Sequence, residues 1–472
     1  FAITLTMRTL LTGERIVTPE GEGPCRILVE DGRILAMGPE LPPPRGEYLD
    51  LRAGDLVVMP GGVDVHTHLE LTVGGARTAD DWASGSRAAL WGGTTTVVDF
   101  TAPGEEGSLW ADLQSALSLV GRRSLVDAGL HVTVTAAALG RLDELETVAR
   151  AGQTTLKVYT AYPGLMLEPD GLLRVFERAA ALGMRVWVHC EDWPEIDRRL
   201  GEARAAGDTR AIMHARTRPP ETEVEAVRGV LALGERTGAS LHLAHLSTLG
   251  AARLVAKAKA RGLPVSAETC PHYLWLEEHR LSWPAQEALC HICAPPLRQA
   301  PHLDALWQAL ADGTIEAVAT DHCPFSWEGG KDRGLSGGQE DFTKTPGGLP
   351  GVETRFPLVF AGGVVGGRFD LRRFVELVAS GPARLAGLYP QKGALVQGAD
   401  ADLVLFDPEG ITRLGAASLH SQMDHSPYEG LRVAGRVVGV MKAGTLVMAN
   451  GEWLEDPPCG RVLERSAVDG RP

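Results

Sequence analysis

Leu56-Val57-Val58-Met59-Pro60-Gly61-Gly62-Val63-Asp64-Val65-His66-Thr67-His68 marks the point where the chain changes style. Upstream, residues 8–58 read as short strands joined by turns. The runs 26–30 and 33–37 flank Asp31-Gly32, a pair that tolerates the positive φ angles of a two-residue hairpin. Downstream, from about residue 60 to 390, apolar strand-like runs alternate with amphipathic stretches rich in Ala, Leu and Arg. The runs fall at 94–100, 131–136, 155–159, 186–189, 240–246, 264–268 and 315–320, with helical patterns between them at 171–182 and 221–237. Near-continuous apolar strands at this period predict a parallel sheet covered by helices on its outer face. After about residue 392 the strand-turn style returns at 401–406, 433–441 and 445–449. The expected fold is α/β: a (β/α)8 TIM-type barrel over residues 59–391, inserted in a small β-sandwich domain that joins residues 1–58 to residues 392–472.

Bulk properties agree with a large enzyme-sized unit. A chain of 472 residues exceeds one ordinary core and suits a barrel with a companion domain. Hydrophobic residues at 44% and charged residues at 22% describe a globular protein. A net charge of −14 argues against a nucleic-acid or anionic-membrane partner, and no apolar run approaches the ~20 residues of a membrane span. Seven Cys, an odd number without framework spacing, fit a reducing cytoplasm. Cys290-His291-Ile292-Cys293 lacks the second C-x-x-C that a zinc knuckle needs. Residues 1–6 lack a basic region and a cleavage-like site, and Met7 is read as the natural start.

Ionisable residues gather where barrel strands are expected to end, which is where barrels of this type build active sites. His66 and His68, at i and i+2 of an extended segment, point to one face. An isolated His-x-His is commonly incidental; company gives it meaning. Lys157 closes the run 154–156 and His189 the run 185–188; His245 closes 241–244 and Asp321 closes 317–320. A lysine at such a place either snorkels outward or loses its proton, because burial disfavours the charged form. A neutral amine can take up CO2 as a carbamate, whose two oxygens can bridge two metals. His242, three positions before His245, falls on the opposite face and is assigned a structural role. Imidazole and oxygen donors suit zinc, manganese or iron, with zinc the default for hydrolysis.

The strings Pro60-Gly61-Gly62-Val63-Asp64-Val65-His66-Thr67-His68, Leu156-Lys157-Val158-Tyr159-Thr160-Ala161-Tyr162-Pro163-Gly164 and Val188-His189-Cys190-Glu191 together resemble the amidohydrolase superfamily, and within it the dihydropyrimidinase/hydantoinase branch. Ala244-His245-Leu246-Ser247, Glu268-Thr269-Cys270-Pro271-His272-Tyr273, Ala294-Pro295-Pro296-Leu297-Arg298, Thr320-Asp321-His322-Cys323-Pro324-Phe325 and Ser426-Pro427-Tyr428-Glu429-Gly430 extend the likeness over essentially the whole chain. The resemblance implies two divalent metal ions, zinc by default. His66, His68 and Asp321 would hold one, and His189 and His245 the other. Lys157, carboxylated by CO2 to N6-carboxylysine, and a hydroxide would bridge them. It further implies ring opening of a 5,6-dihydropyrimidine or 5-substituted hydantoin to an N-carbamoyl amino acid. Asp321 would act as base and then acid, and Tyr162 as donor to the oxyanion. It also implies a small-molecule substrate and a homotetramer.

Departures from the pattern bear on the substrate. Ala294 stands where Ser is usual and Gly347 where Asn is usual; both positions would hold the amide edge through backbone groups. Cys190 and Asp192 replace the commoner Ala and Asn beside His189. Residues 69–80 carry few bulky aromatics, which implies a roomier pocket. Two rivals are an allantoinase or other cyclic ureide or imide hydrolase, and a non-catalytic dihydropyrimidinase-like scaffold. The Lys-x4-Tyr spacing favours the hydantoinase branch over allantoinases, and the complete ligand set disfavours the scaffold.

Overall fold

The computed structural model describes residues 8–466, so Met7, the expected start, lies outside the described residues. Eight strands form one nearly closed parallel sheet: Gly62–Asp64, Thr94–Phe100, Asp127–Thr133, Thr155–Tyr159, Arg185–His189, Ser240–Leu243, Val265–Thr269 and Ala317–Val318. Each strand is bonded to the next in the chain, in parallel register, as consecutive β-α-β units dictate. Thr94–Phe100 shows why: its β-branched residues are buried on both faces, one toward the barrel interior and one under helices. The helix Pro220–Thr237 opens on proline with Glu221 and Glu223 in its first turn and stops at Gly238, whose φ is 71°.

Side chains complete the closure between the first and eighth strands. Asp64 accepts from the Thr320 backbone at 3.1 Å and its hydroxyl at 2.6 Å. Arg355 donates to the carbonyls of Val63 at 2.7 Å and Val318 at 3.1 Å.

A second eight-stranded sheet is built from both chain ends. Leu403–Leu414 pairs antiparallel with Leu49–Pro60, so the two ends meet directly on either side of the barrel insertion. The expected hairpin is present, with φ of 51° at Asp31 and 74° at Gly32. Where this sheet meets the barrel floor, Lys392 lies 2.6 Å from Asp127, 2.6 Å from Asp402 and 2.9 Å from Asp400. Lys442 and Arg461 also contact Asp127, at 2.9 and 2.5 Å.

Three barrel strands differ from expectation by more than one residue at an end. The run expected at 131–136 is Asp127–Thr133, because Asp127 is drawn into the ionic cluster at the floor. The runs expected at 240–246 and 315–320 form ladders only at Ser240–Leu243 and Ala317–Val318. Beyond each, the backbone turns to positive φ, 38° at His245 and 49° at Asp321, and leaves the sheet at the mouth.

Candidate metal centre at the barrel mouth

The first strand ends at Asp64, and His66 and His68 follow it into the mouth. Ligand atoms of His66, His68 and Asp321 all lie within 4.8 Å of one another. Nε2 of His68 and of His66 are 3.1 and 3.3 Å from Asp321 Oδ1. A second group faces the first: His189 Nδ1 and His245 Nε2 are 2.9 Å apart. The rings of His66 and His245 join the groups at a centroid separation of 5.2 Å. Lys157 points its ammonium over Phe100, 4.8 Å from the ring centroid, and that ring packs at 4.6 and 4.7 Å against His66 and His68. The six residues singled out as ligands therefore share one mouth.

Their charge states suit cation binding. Burial pushes His66, His189 and His245 below the usual imidazole range, so that a cation displaces their protons readily. Burial likewise depresses Lys157 to about 8, and among the described residues no carboxylate comes within ion-pair distance of its nitrogen. Asp321 is pushed up by burial, but His66, His68 and His245 outweigh this and hold it well below the carboxylate range.

Buried acids orient the rings. One Glu268 oxygen bonds His66 Nδ1, which turns Nε2 toward the mouth. The other lies 3.1 Å from His242 Nε2, and His242 Nδ1 lies 2.8 Å from Ser266 Oγ. The assignment of His242 to the opposite face is thus corrected. It lies inside the barrel, stacked at 4.2 Å on Trp187, because the strand ends at Leu243 and alternation does not carry through to His245. Its role remains structural, joined to His66 through Glu268. Glu191 does for His189 what Glu268 does for His66, with Oε2 2.9 Å from Nε2. Against burial, the bond from His189 and the charge of Arg218 hold Glu191 down at about 2. Asp99, raised by burial to about 6, accepts from Thr67 and from the Leu69 backbone, each at 2.8 Å, and so pins the His68 loop.

Tyr162 sits beside the second group, its ring 5.2 Å from that of His189, with a backbone φ of 76°. Burial raises its phenol above the ordinary range, so it stays protonated. Ala294 and Gly347 are brought side by side, since a Cβ on Gly347 would lie 3.9 Å from the Ala294 nitrogen. Lys331 ties their loops together by donating to Ile292 O at 2.7 Å and Pro346 O at 2.9 Å. Cys190 is buried with its thiol raised above the normal range, a packed small residue. Sequence reasoning did not single out Glu268, Glu191, Asp99, Arg218 or Lys331. The available signal was an acid at or just past a strand end, two residues after a histidine in the case of Glu191.

The donor set, imidazoles with one carboxylate and a lysine short of a counter-ion, fits a pair of divalent cations. The model of the Amidohydrolase family matches residues 57–447. The chain is 37% identical to D-hydantoinase of Streptomyces coelicolor over 95% of this chain and 96% of that one. It is 36% identical to D-phenylhydantoinase of Escherichia coli over 97% and 98%. The crystal structure of dihydropyrimidinase from Brevibacillus agri superposes with a TM-score of 0.94 at 36% identity, covering 99% and 100%. The chain belongs to the amidohydrolase family and, within it, to the dihydropyrimidinase/D-hydantoinase group.

Proposed function

We propose that the chain hydrolyses a cyclic amide, opening a 5,6-dihydropyrimidine or a 5-substituted hydantoin to an N-carbamoyl amino acid. The observation that carries this reading is the convergence of His66, His68, Lys157, His189, His245 and Asp321 on one barrel mouth. End-to-end similarity to hydantoinases supports it. His66, His68 and Asp321 would hold one divalent cation, and His189 and His245 a second. Lys157 as N6-carboxylysine would lie between them, and zinc is the metal that hydrolysis favours. Such a pair supplies Lewis acidity for the ring carbonyl and lowers the pKa of water toward neutrality.

The chain's own groups account for the rest. Asp321, kept ionised by the imidazoles around it, receives the proton of the attacking water and delivers it to the ring nitrogen as the C–N bond breaks. Tyr162, held protonated, donates its hydroxyl to the oxygen on which negative charge develops. Backbone groups at Ala294 and Gly347 hold the amide edge. The same reading includes assembly as a homotetramer, a cytoplasmic location, and a barrel bounded near residues 59 and 391.

The test is a substrate panel on metal-quantified protein, comparing dihydrouracil, 5-substituted hydantoins, allantoin and dihydroorotate. Ring opening of the first two with about two metals per chain is expected. Preferential opening of allantoin would overturn the choice of ring, and a chain that binds no divalent metal would point to a scaffold.

A further inference from the structure

A buried polar chain runs behind the second histidine pair. Glu191, bonded through Oε2 to His189, presents Oε1 to Arg218 Nε at 3.6 Å. Neither of these two atoms has a hydrogen-bond partner among the described residues. The Arg218 guanidinium carbon lies 5.9 Å from the centroid of the Tyr162 ring. From behind, Arg298 Nη1 donates to the Arg218 carbonyl at 2.5 Å, and Arg298 Nε donates to Ser247 Oγ at 3.0 Å. Ser247 lies two residues past His245, and its hydroxyl bonds Glu223. Arg218 is thus anchored at its backbone, with its cation projecting forward between a carboxylate and a phenol ring.

Tyr162 needs such a neighbour. A non-glycine residue with a φ of 76° occupies a region where the Cβ of an L-residue is crowded, and it persists only where its surroundings enforce it. Backbone bonds from Leu165 and Met166 to the Tyr162 carbonyl, at 3.0 and 2.9 Å, hold the main chain. They do not orient the ring. His189 packs on it from one side and Arg218 lies within cation–π range.

We propose that Arg218 is a positioning residue for the reaction: drawn to Glu191 by an ion pair, its guanidinium fixes the Tyr162 ring in the working orientation and couples it to the ligand His189. Lysine cannot replace it, because only the planar guanidinium can face the aromatic ring while turning a side N–H to the carboxylate. The inference rests on the reading of Tyr162 as oxyanion donor.

Arg218→Met, Arg218→Lys, Tyr162→Phe and the double variant Arg218→Met/Tyr162→Phe decide it, each checked for melting temperature and metal content. With metal content and folding retained, Arg218→Met should lower kcat about 100-fold with little change in KM, as loss of orientation does. Arg218→Lys should recover little of that loss. The double variant should be no slower than the slower single one, because an oriented hydroxyl that is absent cannot be misoriented. Multiplying losses, unchanged kcat, or a loss that tracks departing metal would each overturn the proposal. A crystal structure of Arg218→Met gives a readout independent of turnover: a displaced Tyr162 ring supports the proposal and an unmoved ring overturns it. If wild-type protein opened none of the rings offered, the functional reading would fail while this structural readout still decided the role of Arg218.

Discussion

Lys157 at the mouth of the barrel and Lys392 under its floor are enclosed to the same degree, 1% and 2% exposed, and their environments drive them in opposite directions. Burial depresses Lys157 to about 8, with no carboxylate at ion-pair distance among the described residues. At Lys392 burial acts the same way, but Asp402, Asp127 and Asp400 outweigh it and raise the ammonium above its ordinary range. Removing an ammonium from water is costly unless anions meet it. Where they do, the charge stays and the residue cross-links the barrel to the sheet made by the chain ends. Where they do not, the proton is easily lost and the free amine becomes available for chemistry. The same side chain is a fastener in one place and a reactive group in the other, and burial alone does not distinguish them.

The contrast is easiest to break by removing each lysine in turn. Lys157→Ala should lower ring-opening turnover by more than about a thousandfold and reduce the metal found by elemental analysis, while the melting temperature of metal-free protein changes little. Retained activity would remove Lys157 from the centre. Lys392→Met should do the reverse, leaving kcat of the folded protein intact while costing roughly 3–5 kcal/mol in denaturant unfolding, because three carboxylates lose their central cation. Since the Lys392 pKa is raised, its contribution is complete below the unfolded lysine value near 10.4 and is lost only as pH climbs through the higher folded value. Asp127 and Asp400, held low, add stability that is present above about pH 4 and is lost as the pH falls through their folded values. The deficit of Lys392→Met should therefore persist from pH 7 to 9, and shrink both in acid and at pH values above the unfolded lysine value.

Smaller effects sharpen the picture. Tyr162→Phe should reduce kcat about 100-fold with two metals still bound, the size expected for one oxyanion donor. Reconstitution of metal-free protein with zinc at a fixed concentration of dissolved CO2 should quicken about fivefold from pH 7 to pH 8, following the neutral fraction of an amine with a pKa near 8. A rate flat across that interval would mean that the free amine does not limit assembly.

Much of this was legible in the residue order. The run 94–100, the run 155–159 and the hairpin at Asp31-Gly32 are where the pattern places them. His66, Lys157, His189, His245 and Asp321 stand out only as a set, each following a different apolar run and together offering the donors of a metal centre. Glu268 was hidden within its own strand, and its meaning comes from reaching His66, 202 positions away in the chain. His242 was misplaced because a period of two assumes that the strand continues, whereas it stops before His245. Arg218 sits beyond a short helix in a proline-bearing loop, where no periodicity marks it.

By itself the sequence determined the alternation of strand and helix, the return of the β style at both ends, and the residue types able to hold a metal. These follow from local rules: the periods of strands and helices, the punctuation of Gly and Pro, and donor chemistry. Only the tertiary structure decided which nitrogen of each histidine faces the mouth, which lysine keeps its proton, and that Tyr162 and Arg218 meet. Those outcomes depend on electrostatics and burial between residues far apart in the chain, and such energies exist only once the barrel has brought the groups within a few ångströms of each other.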